Sequence, residues 1–171
     1  MKILTTADKK EEKFLKSKTK PVELEAWEKT DSNRLIRDMQ TVMRTADGVG
    51  LSANQVGLNL RLFVAEIPAD QGRAKKFYAI INPEIVKQSE EKTETEEGCL
   101  SVPETFGVVS RPEKIVIAGF DRNGKKIKIK AWGLLARVFQ HEIDHLNGIL
   151  FIDKAKSVQK IIPTSKNIAK N

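Results

Sequence analysis

Apolar residues recur at i, i+3, i+4, i+7 and i+8 in Leu35, Ile36, Met39, Val42 and Met43. The spacing predicts an amphipathic helix running to about Thr45, with Asp31 or Ser32 as its N-cap. Gly48, Val49 and Gly50 break that pattern. Residues 61–67 then form a short apolar run closed by Pro68, which reads as a strand. A polar loop over 70–76 leads to a second apolar strand, 77–81, expected to stop at Asn82 and Pro83. Residues 85–95 are polar yet compatible with β-structure, and Glu90, Glu91, Glu94, Glu96 and Glu97 form an acidic cluster there. The clearest hairpin joins 114–120 to 125–132 across Asp121, Arg122, Asn123 and Gly124. Ile127 and Ile129 alternate with lysines in its second arm, as one buried and one wet face require.

Over 134–147 the period becomes helical again, with Leu134, Leu135, Val138, Phe139, Ile143 and Leu146 apolar and Gly148 just beyond the end. A last apolar segment covers 149–152, and the charge-dense run 8–20, ending at Pro21, reads as a short surface helix. Strands outnumber helices and are not interleaved with them. The expected class is therefore α+β, with antiparallel or mixed sheets around a central helix in the C-terminal half and further helices near the N-terminus.

At 171 residues, 40% hydrophobic and 31% charged, the chain has material for one globular domain over 1–171. Residues 153–171 read as a basic tail, solvated and interrupted by Pro163. The net charge of +7 is compatible with attraction to a polyanion. Aromatics at 6% leave few platforms for stacking bases. A single cysteine, Cys99, excludes an intramolecular disulfide and favours a reducing compartment. The N-terminus turns charged before a signal-length apolar run can develop, and no window approaches the roughly 18 apolar residues of a membrane span. A cytoplasmic protein with no membrane partner is expected.

The strongest chemical signal is His141-Glu142-Ile143-Asp144-His145 within the last predicted helix. Four residues turn a helix through about 400°, so both imidazoles leave one face a single turn apart and can close on one metal ion. They are the only two histidines in the sequence. A catalytic site of this kind needs a third protein ligand and an open position for water. A carboxylate or Cys99 could supply it; solvation explains most of the carboxylates, whereas Cys99 sits in a loop shaped by Gly98 and Pro103. Beside two histidines that lack a partner, Cys99 is the favoured ligand, and thiolate with imidazole suits zinc. Glu142 follows the first histidine within about 100° on the helix, where its carboxylate can reach a water on the metal as general base and then general acid. Val138, one turn earlier, is expected to wall a hydrophobic pocket.

Gly48, Gly50 and Ala53 match the spacing of a dinucleotide fingerprint, but a helix precedes them and a strand follows, the reverse of the order that aims a helix N-terminus at pyrophosphate. Dinucleotide binding is rejected. The alternatives are a helix cap and a close backbone approach to an extended ligand. Gln55 can donate to a developing oxyanion. A metallopeptidase and a non-enzymatic metal or RNA-binding module remain the competing readings.

Taken in order, Gly48-Val49-Gly50-Leu51-Ser52-Ala53-Asn54-Gln55, Glu97-Gly98-Cys99-Leu100-Ser101 and Gln140-His141-Glu142-Ile143-Asp144-His145 resemble the three signature motifs of the peptide deformylases. The similarity extends along nearly the whole chain. It implies hydrolysis of the formyl group from formyl-methionine on nascent polypeptides, releasing formate. It also implies that Cys99, His141 and His145 bind the metal, with Glu142 as acid/base and Gln55 plus the Leu100 N–H as oxyanion hole. Gly50 and the loop around Val49 would pair with the substrate as an added strand. The family resemblance implies Fe²⁺, with Zn²⁺ or Ni²⁺ able to take the site. It places Glu97, Arg111 and Asp144 where they orient the ligands. Ser52 and Asn54 depart from common family residues and suggest a looser loop before Gln55, while Arg137 stands near the side-chain pocket. A monomer is expected, with transient ribosome contact through basic surface.

Overall fold

The computed structural model describes residues 1–28, 31–68 and 75–161. Helix α1 (Lys9–Leu15) is capped by the Asp8 carboxylate, which accepts from the N–H groups of Lys10 and Glu11. A short helix, α2 (Leu24–Glu28), was not foreseen, since five residues carry no readable period. Helix α3 (Ser32–Thr45) starts where expected: Asp31 accepts from the Arg34 N–H, and Ile36, Met39 and Met43 point inward.

The strands form two sheets, and every pairing among the described residues is antiparallel. The larger has the order β1 (Gly50–Ser52), β2 (Leu62–Ile67), β3 (Lys76–Gln88), β6 (Lys114–Phe120), β7 (Lys126–Trp132). The smaller has β4 (Lys92–Cys99), β5 (Val102–Pro112), β8 (Val158–Lys160). Helix α4 (Gly133–Leu146) lies against one face of the larger sheet, where Val138, Phe139, Ile143 and Leu146 pack with Phe63, Ile80 and Ile117. Helices α2 and α3 cover part of the opposite face through Trp27, Met39 and Met43 against Leu62, Val64 and Ile81. Strand β2 is sandwiched between the two layers, so its run of Leu62, Phe63, Val64 and Ala65 is apolar on both faces. A third cluster, around Leu15, Val109, Leu150 and Phe151, fills the space under the smaller sheet.

Several boundaries differ from expectation. Strand β3 does not stop at Asn82 and Pro83 but crosses them in a bulge: Asn82 takes φ +49° and the register with β6 shifts between Ile81 and Glu84. The Asn82 side chain bonds both backbone groups of Val22, 60 residues away, and Pro83 sits where no ladder bond is lost. The break around Gly50 leads directly into edge strand β1. The polar segment 85–95 divides between β3 and β4, and β4 with β5 forms a hairpin rather than a loop around Cys99. The apolar segment 149–152 ends in a 3-10 turn, Phe151–Asp153. The expected solvated tail is tied down over its first residues, since β8 pairs with β5. Residues 69–74 of the polar loop, and 162–171 with Pro163, lie outside the described residues. No helix among the described residues is long and apolar enough to cross a membrane.

Helix α4 ends in a Schellman motif: the Ile149 N–H donates to Asp144 O and the Gly148 N–H to His145 O, both at 2.9 Å. Gly148 has φ +75°, and a Cβ there would drive into the Lys16 carbonyl. Gly148→Ala is expected to cost about 2–3 kcal/mol and to lower Tm by roughly 4–10 °C in a thermal melt. Within β2, buried Glu66 binds Arg44 of α3, Lys75 and Gln40, and the Arg44 guanidinium above all holds its carboxyl down to about 2. Its folded pKa lies below the ordinary value of 4.5, so the stabilisation is complete above that pH and is lost as pH falls toward 2. Denaturant titrations of Glu66→Gln should show a flatter loss of stability over that window than the wild type.

Candidate metal centre and active site

Two elements bring the metal-ligating side chains together. Helix α4 presents His141 and His145 from adjacent turns, with their Nε2 atoms 3.2 Å apart. Cys99 closes β4 at the point where the hairpin turns through Leu100 and Ser101, and its Sγ lies 3.1 Å from His145 Nε2. Gly98 allows this close turn, since a Cβ there would meet the Phe106 ring at 2.8 Å. The three ligand atoms lie within 4.8 Å of one another. Bonds of about 2.0–2.3 Å to a tetrahedral ion put ligand atoms roughly 3.3–3.6 Å apart, so little movement is needed to seat one.

The electrostatics fit a cation as well. Burial opposes charge on Cys99, but His145 and His141 outweigh it and hold the thiol well below its ordinary value. Burial likewise disfavours charged His141, yet Cys99 and Glu97 push it up to about 10. Both shifts come from opposite charges held close together, a field that a divalent cation among the three ligand atoms also satisfies. Two buried atoms, Glu142 Oε2 and His145 Nδ1, have no hydrogen-bond partner among the described residues. The donor set fits a single metal ion, and the unpartnered Glu142 oxygen fits solvent beside it.

Behind the ligands lies a buried charge network. Glu97 Oε2 sits 3.0 Å from His141 Nδ1 and accepts from Arg111 Nη2 at 2.8 Å; its other oxygen accepts from Arg111 Nε and Arg137 Nη1, each at 2.6 Å. Arg111 also donates to Asp144 at 2.7 Å, and Lys154 binds the same carboxylate. Desolvation resists charge on Glu97, but Arg111 and His141 keep it strongly acidic. Of these residues Glu97 touches the ring of His141, while Arg111 and Asp144 extend the network behind it. Arg137 is spent on Glu97, Val109 O and Thr93, although it also borders the cavity. Lys154 was missed; its signal, a lysine ten residues after Asp144, is too remote in sequence to read.

A cavity of about 430 Å³ opens in front of the ligands. Val49, Gly50, Gln55, Leu100, Val138 and Glu142 all border it, together with Cys99 and His141. Glu142 is only 3% exposed, and burial pushes its carboxyl up to about 7. A Cβ on Gly50 would press into that carboxylate, so the glycine makes the close approach possible. Gln55 donates to Ser101 Oγ at 3.1 Å and lies 3.5 Å from Cys99 Sγ. The loop before it is pinned rather than loose. Ser52 N–H and Oγ both bond Gln55 Oε1, and Asn54 Nδ2 donates to His145 O at 2.6 Å.

Glu97→Gln would weaken the acceptor that orients His141 and would take the countercharge from Arg111. Metal affinity, read by chelator competition, is expected to fall about 10–100-fold. Chemical denaturation should show a loss of roughly 3–5 kcal/mol.

Comparison with known proteins places this architecture. The family model described as polypeptide deformylase matches residues 1–161. The peptide deformylase of Halothermothrix orenii is 51% identical over 140 residues, covering 82% of this chain and 86% of the relative. That of Rhizobium meliloti is 45% identical over 130 residues, covering 76% and 74%. Among solved structures, a peptide deformylase from Legionella pneumophila is 43% identical with a TM-score of 0.79, covering 91% of this chain and 85% of its own. The enzyme from Thermotoga maritima is 37% identical with a TM-score of 0.78, covering 91% and 97%. Agreement of this extent in sequence and in fold makes the chain a member of the peptide deformylase family, metallohydrolases that remove the formyl group from N-formylmethionine.

Proposed function

We propose that Cys99, His141 and His145 hold one divalent metal, Fe²⁺ in the cell with Zn²⁺ or Ni²⁺ able to replace it, and that the site deformylates nascent polypeptides. The choice of iron rests on the resemblance; the donor set alone equally suits zinc. When bound, such a cation supplies Lewis acidity that polarises the formyl carbonyl and acidifies water.

The chain's own residues do the rest. The substrate backbone lies along the open edge of β1, pairing with Val49 and Gly50, and the methionine side chain enters the cavity beside Val138. Glu142 takes a proton from the attacking water as its oxygen bonds to the formyl carbon. Gln55 Nε2 and the Leu100 N–H stabilise the oxyanion that develops. Glu142 returns the proton to the methionine nitrogen as the C–N bond breaks, leaving formate and a free amine. Residues 1–171 act as one catalytic unit, a cytoplasmic monomer that meets formyl-methionyl chains through transient ribosome contact on basic surface.

The observation that carries this reading is the Glu142 carboxylate, buried against Gly50 beside the three ligands with one oxygen unpartnered. Glu142→Ala is expected to retain the metal while formate release from formyl-Met-Ala-Ser falls at least about 10²–10⁴-fold. Full activity in that variant would remove Glu142 from the mechanism. Gln55→Ala should lower kcat by about 10²–10³ with KM little changed, as expected for a group acting in the transition state. Metal analysis of anaerobically purified protein, alongside formate release, decides the cation: activity must track iron content, and activity tracking zinc reverses the choice.

A further inference from the structure

The two donors proposed for the oxyanion hole come from separate parts of the chain, and one buried serine joins them. Ser101, 0% exposed, follows Leu100 in the turn between β4 and β5, and its hydroxyl accepts from Gln55 Nε2 at 3.1 Å, across 46 residues of sequence. Its N–H donates to Cys99 Sγ at 3.4 Å, so Leu100 stands between two anchored neighbours. Ser101 is not among the residues that line the cavity. Whatever it does for the reaction, it does through Gln55 and the turn.

The Gln55 carboxamide can present only one end to the site. Its Oε1 accepts from the Ser52 N–H at 2.9 Å, where a flipped amide would set two donors against each other. Nε2 therefore faces Ser101 and Cys99. One of its hydrogens goes to the Ser101 hydroxyl, which leaves the other directed past Cys99 Sγ, 3.5 Å away, on the wall of the cavity that Gln55 and Cys99 share. The N-terminal segment ties down both groups. The Leu4 N–H donates to Gln55 O at 2.8 Å and the Thr6 N–H to Ser101 O at 2.9 Å. Between them the Thr5 N–H donates to Glu11 Oε2 at 2.8 Å, and Lys2 Nζ to the other oxygen at 2.6 Å, which fastens the segment to α1. A serine that merely satisfied a buried donor would account for the hydroxyl bond. It would not account for the paired backbone bonds that residues 4 and 6 make to the same two partners.

We propose that Ser101 is a positioning residue for the oxyanion hole, and that residues 2–6, pinned by Glu11, are a strap holding it in register with Gln55. This rests on the catalytic reading above, in which Gln55 Nε2 and the Leu100 N–H receive the developing charge. Donors stabilise an oxyanion without reorganisation only when they are aimed beforehand. The hydroxyl sets the twist of the carboxamide, and the strap sets the spacing between its backbone and the turn that carries Leu100.

A double-mutant cycle on formate release from formyl-Met-Ala-Ser, with metal-loaded full-length protein, tests this. Ser101→Ala removes the hydroxyl and keeps the backbone bonds; kcat is expected to fall about 10–100-fold with KM and bound metal unchanged. Glu11→Ala, which frees the strap from outside the cavity, should lower kcat about 3–10-fold in the same manner, and it carries the test if the buried variant fails to fold. Glu12→Ala, which removes only an exposed pair with Lys16, should match wild type. Added to Gln55→Ala, neither Ser101→Ala nor Glu11→Ala should lower kcat by more than about twofold, because the group they aim is gone. Wild-type kcat in both single variants, equal losses with and without Gln55, or a loss carried by KM or by metal content would overturn the proposal. A second readout needs no turnover. In proton–nitrogen correlation spectra of the zinc-loaded protein, the Gln55 side-chain NH₂ pair, assigned by its absence in Gln55→Ala, should shift and exchange faster with water in Ser101→Ala and, to a smaller extent, in Glu11→Ala. Unmoved signals would overturn the proposal. Those shifts in a protein that releases no formate would count against the catalytic reading alone.

Discussion

One buried guanidinium holds the functional centre in register. Arg111, 2% exposed, grips Glu97 on β4 with two nitrogens and Asp144 on α4 with a third. The smaller sheet supplies the thiol and the helix supplies the imidazoles, and Arg111, together with Arg137 and His141 of α4 on the same Glu97, fixes one against the other. A buried ion network is weak evidence for net stability, because desolvation opposes the Coulombic gain. Its effect here is geometric. With two carboxylates shared by one rigid fork, the hairpin cannot slide along the helix without leaving a charge unpaired in a site that excludes water.

The part of this centre legible in the sequence was the part encoded locally. His141 and His145 announce themselves by helical spacing, and Gly148 marks the end of their helix. Cys99 was reached by elimination, because a two-histidine site needs another ligand. The rest depends on distant partners. Asn82 and Pro83 look like a stop, and are not, because Val22 satisfies the asparagine from across the fold. Strand β4 alternates lysine, threonine and glutamate with almost no buried position, so it carries no apolar face to read. Ser52 and Asn54 seemed to loosen their loop by family comparison, whereas their side chains bond Gln55 and the helix that carries the histidines. Arg137 borders the cavity as expected, but the hold that Glu97 and Thr93 have on its guanidinium is not legible in the sequence.

The larger sheet has two edges with opposite tasks. At β1 the strand is short and glycine opens its catalytic side, the edge along which an extended peptide is proposed to pair. At β7 a lysine stands at every second position, which discourages a neighbouring chain from pairing there. The same open backbone is thus an asset at one end and protected at the other.

The N-terminal segment is woven into the back of α4. Thr19 bonds Leu146 O through both its N–H and its hydroxyl, the Leu4 N–H meets Gln55 O, and the Thr6 N–H meets Ser101 O. During synthesis Thr19 therefore finds its partner only after some 127 more residues have been made. Closing contacts of that span is slow, since loop entropy must be lost before the contact repays it. Each new molecule of this hydrolase completes its own catalytic geometry near the end of synthesis, so neither half of the chain emerging alone can carry the reaction.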